Sequence, residues 1–397
     1  MREGWEYKRL GEVCEIFGRI GFRGYKREDY VESEKEGAIS LSPSNIIGGH
    51  LDYSKNTYIS WYKYEESPEI KIFEGDVLLV KTASVGKSAI VRTLPHAATI
   101  NPQFVVFKNI QANNQYLFYS INSEGFLVQL KSITSGSSVP TLSQKALAEL
   151  QIPLPPLPLQ QSIVAELDQI NNLLSLKRKE LETYDKLAQS LFYEMFGDPV
   201  ENEKGWKVNK LGDNVHEMFL GPFGSALKVD SYVPASEAYA MVYEQKHAIQ
   251  ATLSLENHFI NEEKYRSLER FEVKGGDFIM SCRGTIGKIY RVPLGSPRGI
   301  IHPSLMKIRI KENVYDPMFF RFMLEKVVKN QTTKGNCVQM AITAKELGYK
   351  LFPLPPLPLQ QLFAQRIEAI EEQKANVKTA IEKLETLLAA RMQYWFD

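Results

Sequence analysis

A chain of 397 residues exceeds what one ordinary hydrophobic core sustains and fits two or more domains. Its 44% hydrophobic and 24% charged residues are those of a globular protein, and no apolar run approaches the length that spans a bilayer. A net charge of +1 lacks the basic excess of a freestanding nucleic-acid binder, so such a role would have to rest on local basic clusters.

In chain order, residues 1–152 mix short β-rich runs with turn residues. The runs at 76–80 (DVLLV) and 104–108 (FVVFK) are too short for helices and rich in β-branched or aromatic residues, so they predict strands. A helix-like run follows from 115 to 131, which makes this a mixed α/β domain. Residues 160–197 differ in kind. Apolar positions fall at Ile163, Leu167, Ile170, Leu174, Leu181, Tyr184, Leu191 and Met195, with Lys177 and Ala188 interrupting. Residues 360–396 repeat the ladder at Phe363, Ile367, Ile370, Val377, Ile381, Leu384, Leu388 and Trp395, interrupted by Lys374 and Arg391. This is a heptad seam sustained for about five heptads. At about 1.5 Å per residue, each helix is roughly 55 Å long. One apolar stripe needs a partner: the duplicate helix is the expected one, and packing of each seam on its own domain is the alternative.

The nine residues PLPPLPLQQ occur at 153–161 and again at 353–361. Other matches recur at nearly the same offset: Gly4-Trp5 with Gly205-Trp206, Leu10-Gly11 with Leu211-Gly212, Gly75-Asp76 with Gly276-Asp277, and Gly86-Lys87 with Gly287-Lys288. Ile100 and Pro102 reappear as Ile301 and Pro303, whereas 17–70 and 218–270 share almost nothing. The chain is therefore a tandem duplication with unlike inserts, one architecture suited to two specificities. The expected fold is α+β: two mixed α/β domains held apart by two long helices paired as an antiparallel coiled coil, with pseudo-twofold symmetry. The expected divisions are 1–152, 153–198, 199–352 and 353–397, alternating domain and helix.

With these elements in place, the chain resembles the specificity subunit of type I restriction-modification systems over its full length. The resemblance rests on IPLPPLPLQQ at 152–161 with its repeat, GDVLL…GK at 75–87 with its echo at 276–288, and LFYEMFGD at 191–198. It implies two target-recognition domains, each reading one half of a bipartite, gapped site in double-stranded DNA. The helices would act as spacer and dock two methylation subunits, which carry S-adenosylmethionine and methylate adenine at N6. Two restriction subunits using Mg-ATP would complete the nuclease. This chain would choose the sequence, bind no cofactor and do no bond chemistry.

Candidates for catalysis fall short on their own chemistry. KTASVGKS at 81–88 has Lys81 where a phosphate-binding loop needs its first glycine, and the copy lacks the hydroxyl after Lys288. Asn101-Pro102-Gln103-Phe104 approximates an amino-methyltransferase motif, but the duplicate reads His302-Pro303-Ser304-Leu305 and no glycine-rich cofactor loop accompanies either, so a buried strand approach is expected. The histidines lack metal-ligand spacing, and Cys14, Cys282 and Cys337 lie too far apart for a disulfide framework or zinc site. The opening MREGWEYKRL has no apolar signal core, so a cytoplasmic location away from membranes is expected.

Base reading in the major groove favours Arg, Lys, Asn and Gln, and phosphate contacts add Ser, Thr and Tyr. The expected DNA contacts are Arg19, Arg23, Lys26, Lys81, Lys87 and Arg92 in the first domain, and Lys228, Lys246, Arg283, Lys288 and Arg291 in the second. The rival reading is a non-catalytic scaffold whose duplicated domains bind proteins. A weaker one is an ancestral methyltransferase half.

Overall fold

The computed structural model describes residues 4–19, 24–135, 139–333 and 341–397. The nine-residue repeat opens two helices of 40 residues each, Leu157–Phe196 and Leu357–Phe396. Both are about 60 Å long at 1.5 Å per residue. Tandem prolines end the preceding strand and supply the first helical carbonyls, Pro156 to Leu159 and Pro356 to Leu359. The first glutamine of each repeat then turns inward. Gln160 Nε2 donates to the Pro155 carbonyl at 2.8 Å, and its Oε1 accepts from Asn113 N–H at 2.8 Å. Gln360 does the same with Pro355 and Asp316, both at 2.9 Å. Each repeat thus pins a long helix to the start of a second helix in the adjoining domain.

The chain divides into two compact units, residues 1–179 with 378–397, and residues 180–377. Each unit therefore holds a globular domain, one half of the central helix and one half of the C-terminal helix. In the first unit Ile163 and Leu167 are buried with Tyr116, Tyr119 and Phe396, and Leu388, Met392 and Trp395 pack against them. In the second unit Phe192, Phe196 and Phe363 meet Phe319 and Phe322, with the Phe196 and Phe319 rings 4.6 Å apart. Burying each such side chain contributes about 1.5–3 kcal/mol. The pairing is antiparallel in each unit: Glu166 meets Arg391 and Arg178 meets Glu385 in one, Asp185 meets Lys374 in the other. The ladder positions are all buried or half-buried, with exposed residues between.

Within the first domain, the strands Glu15–Phe17, Phe104–Lys108, Val77–Val80 and Ser88–Ile90 form one sheet in that order. The apolar runs are explained by burial on both faces. Val77 and Leu79 face one core with Phe107 and Leu117, whereas Leu78 and Val80 face another with Ile39 and Ile100. A second sheet runs Ala98–Ile100, Gly37–Leu41, Tyr58–Ser60, Tyr30–Val31. The second domain repeats the first sheet as Val215–Leu220, Leu305–Ile310, Phe278–Ser281 and Ile289–Arg291. Its other sheet runs Phe259–Ile260, Ala240–Tyr243, Gly299–Ile301, Glu272–Val273. The parallel pair Gly37–Leu41 with Ala98–Ile100 is thus matched by Ala240–Tyr243 with Gly299–Ile301, although Gly37–Leu41 and Ala240–Tyr243 do not align in sequence.

One expectation is corrected. The run from 115 to 131 is not one helix but two, Asn114–Ser120 and Glu124–Ile133. Ser123 breaks it, because its hydroxyl accepts from Phe126 N–H at 3.3 Å and starts a new helix. The second domain has no such cap at this place and runs on as Pro317–Thr333.

Candidate nucleic-acid interface

Both strands of each parallel pair end on the same side, and the chain leaves them through short polar turns. In the first domain these turns are Ser42 to Asn45 and Asn101 to Gln103. Asn101 N–H donates to the Leu41 carbonyl at 2.9 Å, and Asn45 Oδ1 accepts from Ser42 N–H at 2.9 Å. The loop joining Val77–Val80 to Ser88–Ile90 closes against both turns. Lys81 N–H donates to the Gln103 carbonyl and Lys87 Nζ to the Pro43 carbonyl, each at 2.7 Å. Ala83 N–H reaches the Pro140 carbonyl at 2.9 Å, and the Thr82 and Thr141 hydroxyls lie 3.2 Å apart. Four stretches of chain converge on one polar rim. The loop has no helix after it, so it offers no helix N-terminus to a nucleotide phosphate.

The second domain builds the same rim on the same backbone contacts. His302 N–H donates to the Tyr243 carbonyl at 2.9 Å and Cys282 N–H to the Ser304 carbonyl at 3.0 Å. Glu244 N–H donates to His247 Nδ1 at 2.8 Å, as Ser42 does to Asn45. Gln245 Nε2 donates to the Arg283 carbonyl at 2.7 Å, tying this loop down as Lys87 ties the first. Gly86 and Gly287 both need positive φ, +91° and +80°.

On this shared backbone the side chains differ. Lys81, Thr82, Asn101 and Gln103 in the first rim correspond to Cys282, Arg283, His302 and Ser304 in the second. Glu244 Oε2 accepts from Lys246 Nζ at 2.8 Å and His258 Nδ1 at 3.0 Å, while Tyr232 stacks on His258 with centroids 4.7 Å apart. Burial works against the Glu244 charge, yet Lys246 and His258 outweigh it and hold its pKa below the usual value. Burial lowers the pKa of His302 and also that of the Lys81 ammonium. Both side chains are half-buried and polar, so their environment favours a partner that supplies charge or hydrogen bonds.

The expected contacts are distributed unevenly over this geometry. Lys81 and Lys87 belong to the first rim; Lys246, Arg283 and Lys288 belong to the second. Arg92 lies past the far end of its hairpin and Arg291 at the far end of its own, bonded to Gln115 at 2.9 Å and Glu312 at 3.2 Å. Lys26 and Lys228 are exposed. Arg19 departs from expectation: it is 5% exposed, with its guanidinium 3.7 Å from the Tyr25 ring centroid, so it is built into the domain. Arg23 lies outside the described residues, as does Cys337, whereas Cys14 and Cys282 are buried free thiols. Asn101-Pro102-Gln103 proves to be a half-exposed turn, and only Phe104 begins the buried strand. The reading by residue type missed Asn101, Gln103, His302, Ser304 and Glu244. A signal was present: unlike polar residues flank the duplicated prolines Pro102 and Pro303 at one offset.

Two unlike polar rims on one repeated backbone suit a protein that recognises two different sites. Residues 2–183 match the family model of the type I restriction modification DNA specificity domain. A putative type I restriction enzyme MjaX specificity subunit of Methanocaldococcus jannaschii is 25% identical, covering 96% of this chain and 91% of the relative. The MjaVIII specificity subunit of the same organism is 24% identical over 96% of this chain and 90% of the relative. The fold is shared with a solved chain described under complex assembly and conformational transition of the type I R-M system, with TM-score 0.64, 20% identity and coverage of 98% and 97%. The type I restriction-modification S subunit from M. genitalium aligns with TM-score 0.53, 14% identity and coverage of 99% and 96%. The chain is thus similar to type I restriction-modification specificity subunits, by the family model over residues 2–183 and by sequence along 96% of its length.

Proposed function

We propose that this chain is the DNA-recognition subunit of a type I restriction-modification complex. Each domain reads one half of a bipartite gapped site in double-stranded DNA, with 1–152 and 199–352 as target-recognition domains. The observation that carries this reading is the twice-built rim: equivalent bonds hold Lys81, Asn101 and Gln103 in one domain and Cys282, His302 and Ser304 in the other, where Gln245 also fixes Arg283. One scaffold with two side-chain sets suits two unlike half-sites. Phosphate contacts by Lys81, Lys87, Arg283 and Lys288 would position the duplex, while the half-exposed polar side chains read bases.

The long helices, segments 153–198 and 353–397, are the docking surface for two methylation subunits. Exposed leucines outside the seam support this: Leu173, Leu176 and Leu387 in one unit, Leu187 and Leu362 in the other. Partner subunits carry S-adenosylmethionine for adenine N6 methylation and, with two restriction subunits, Mg-ATP. They also supply phosphate contacts that a chain of net charge +1 lacks. The complex works in the cytoplasm; among the described residues no helix is long and apolar enough to cross a membrane.

The test is a genome-wide map of methylated adenines in the host with the gene intact and deleted. A gapped, two-part motif that loses methylation on deletion is expected. An unchanged map, with the methylation subunits expressed, would contradict this function and favour the protein scaffold.

A further inference from the structure

Gln103 sits in a turn held rigidly in place. Asn101 Oδ1 accepts from Gln103 N–H at 2.9 Å, and Asn101 Nδ2 donates to Gln103 Oε1 at 3.0 Å. Phe104 N–H closes the turn onto the Asn101 carbonyl at 3.2 Å, and the Phe104 ring is fully buried below it. The Asn101 amide is therefore committed at both ends. Gln103 Nε2 has no partner among the described residues, and Oε1 keeps one lone pair. The side chain is half-buried beside the exposed Pro102, and its own carbonyl is bonded to Lys81 N–H. A lysine that can hold a phosphate thus adjoins an oriented amide edge.

The duplicate repeats the support and changes the edge. His302 Nδ1 accepts from Ser304 N–H at 3.2 Å and lies 2.8 Å from Ser304 Oγ. Position 304 occupies the place of 103, but a single hydroxyl cannot present a donor and an acceptor side by side.

We infer that residue 103 and its duplicate 304 are equivalent base-reading positions, and that Gln103 reads an adenine in the major groove. Its Nε2–H donates to adenine N7, and its Oε1 accepts from the N6 amino group. Asn101 is a positioning residue that keeps Oε1 and Nε2 aimed outward. Ser304 makes one bond only and leaves its position less selective. This inference rests on the DNA-recognition function proposed above.

The test uses the full chain assembled with its methylation subunits and duplexes carrying the mapped motif. Each adenine of the half-site read by the first domain is replaced in turn by 7-deazaadenine, which lacks the N7 acceptor. One replacement should weaken binding by wild type about two- to 12-fold, the range of one lost hydrogen bond. In Gln103→Ala the same replacement should cost nothing further. Gln103→Glu should shift preference at that position toward cytosine, whose N4 amino group a carboxylate accepts; a misfolded chain would not show this. If wild type tolerates every replacement, or Gln103→Ala pays the same penalty, the inference fails while the proposed function stands. If the wild-type complex selects no bipartite site, both fail.

Discussion

The first glutamine of each PLPPLPLQQ repeat shows what a single side chain contributes here. Gln160 is 3% exposed and Gln360 1%, and each satisfies a carbonyl before the helix and an amide in the neighbouring domain. Gln160→Ala should cost about 1–3 kcal/mol for each buried group left unpaired, whereas the exposed Gln161→Ala should be nearly neutral. Denaturant midpoints of the two variants check this. Glu166 offers a pH prediction. Hydrogen bonds from Arg391, and secondarily from Trp395, hold its pKa below the usual glutamate value against the opposing effect of burial. A lowered folded pKa means the contribution is present above the unfolded value and is lost as pH falls through the folded one. With both side chains about a third exposed, it is worth no more than about 1 kcal/mol. Glu166→Gln should therefore lower stability by up to about 1 kcal/mol at neutral and alkaline pH, without changing the slope there, and flatten the acid limb of the stability–pH curve. At this scale the sequence was only partly legible. Residue type pointed to the cations, but nothing in Arg19 itself indicated that Tyr25 would cover it.

At the scale of elements, the helices were readable because their seam follows one period for the whole length, and the strands because both faces are buried. The break at Ser123 was not, since capping competes locally with a helical pattern that otherwise continues. The parallel strand Ala240–Tyr243 was hidden for another reason: its burial accepts any apolar sequence, so AMVY and GAISL do the same work unaligned. The loop glycines behave differently from each other. A Cβ at Gly287 would sit 2.7 Å from Val328 Cγ1 at φ +80°, whereas one at Gly86 meets Leu130 Cδ2 at 3.3 Å. Gly287→Ala should destabilise the second domain by about 1–3 kcal/mol through strain and overpacking. Gly86→Ala shares the unfavourable φ but should cost less, and thermal melts of the two variants rank them.

For the whole molecule, duplication was legible from the repeat and from offsets near 200, and it carried the expectation of two specificities. What the sequence could not give was the identity of the reading rims, because each is assembled from stretches of chain distant in sequence. Only the fold places Lys81 beside Gln103 and Arg283 beside Gln245. The central claim is that each rim serves its own half-site. Its most direct test is methylome mapping with two paired variants, Lys81→Ala with Gln103→Ala, and Arg283→Ala with Ser304→Ala. Each pair should degrade one half of the methylated motif, opposite halves for the two pairs, with the gap length unchanged. Equal loss in both halves from either pair would contradict the account.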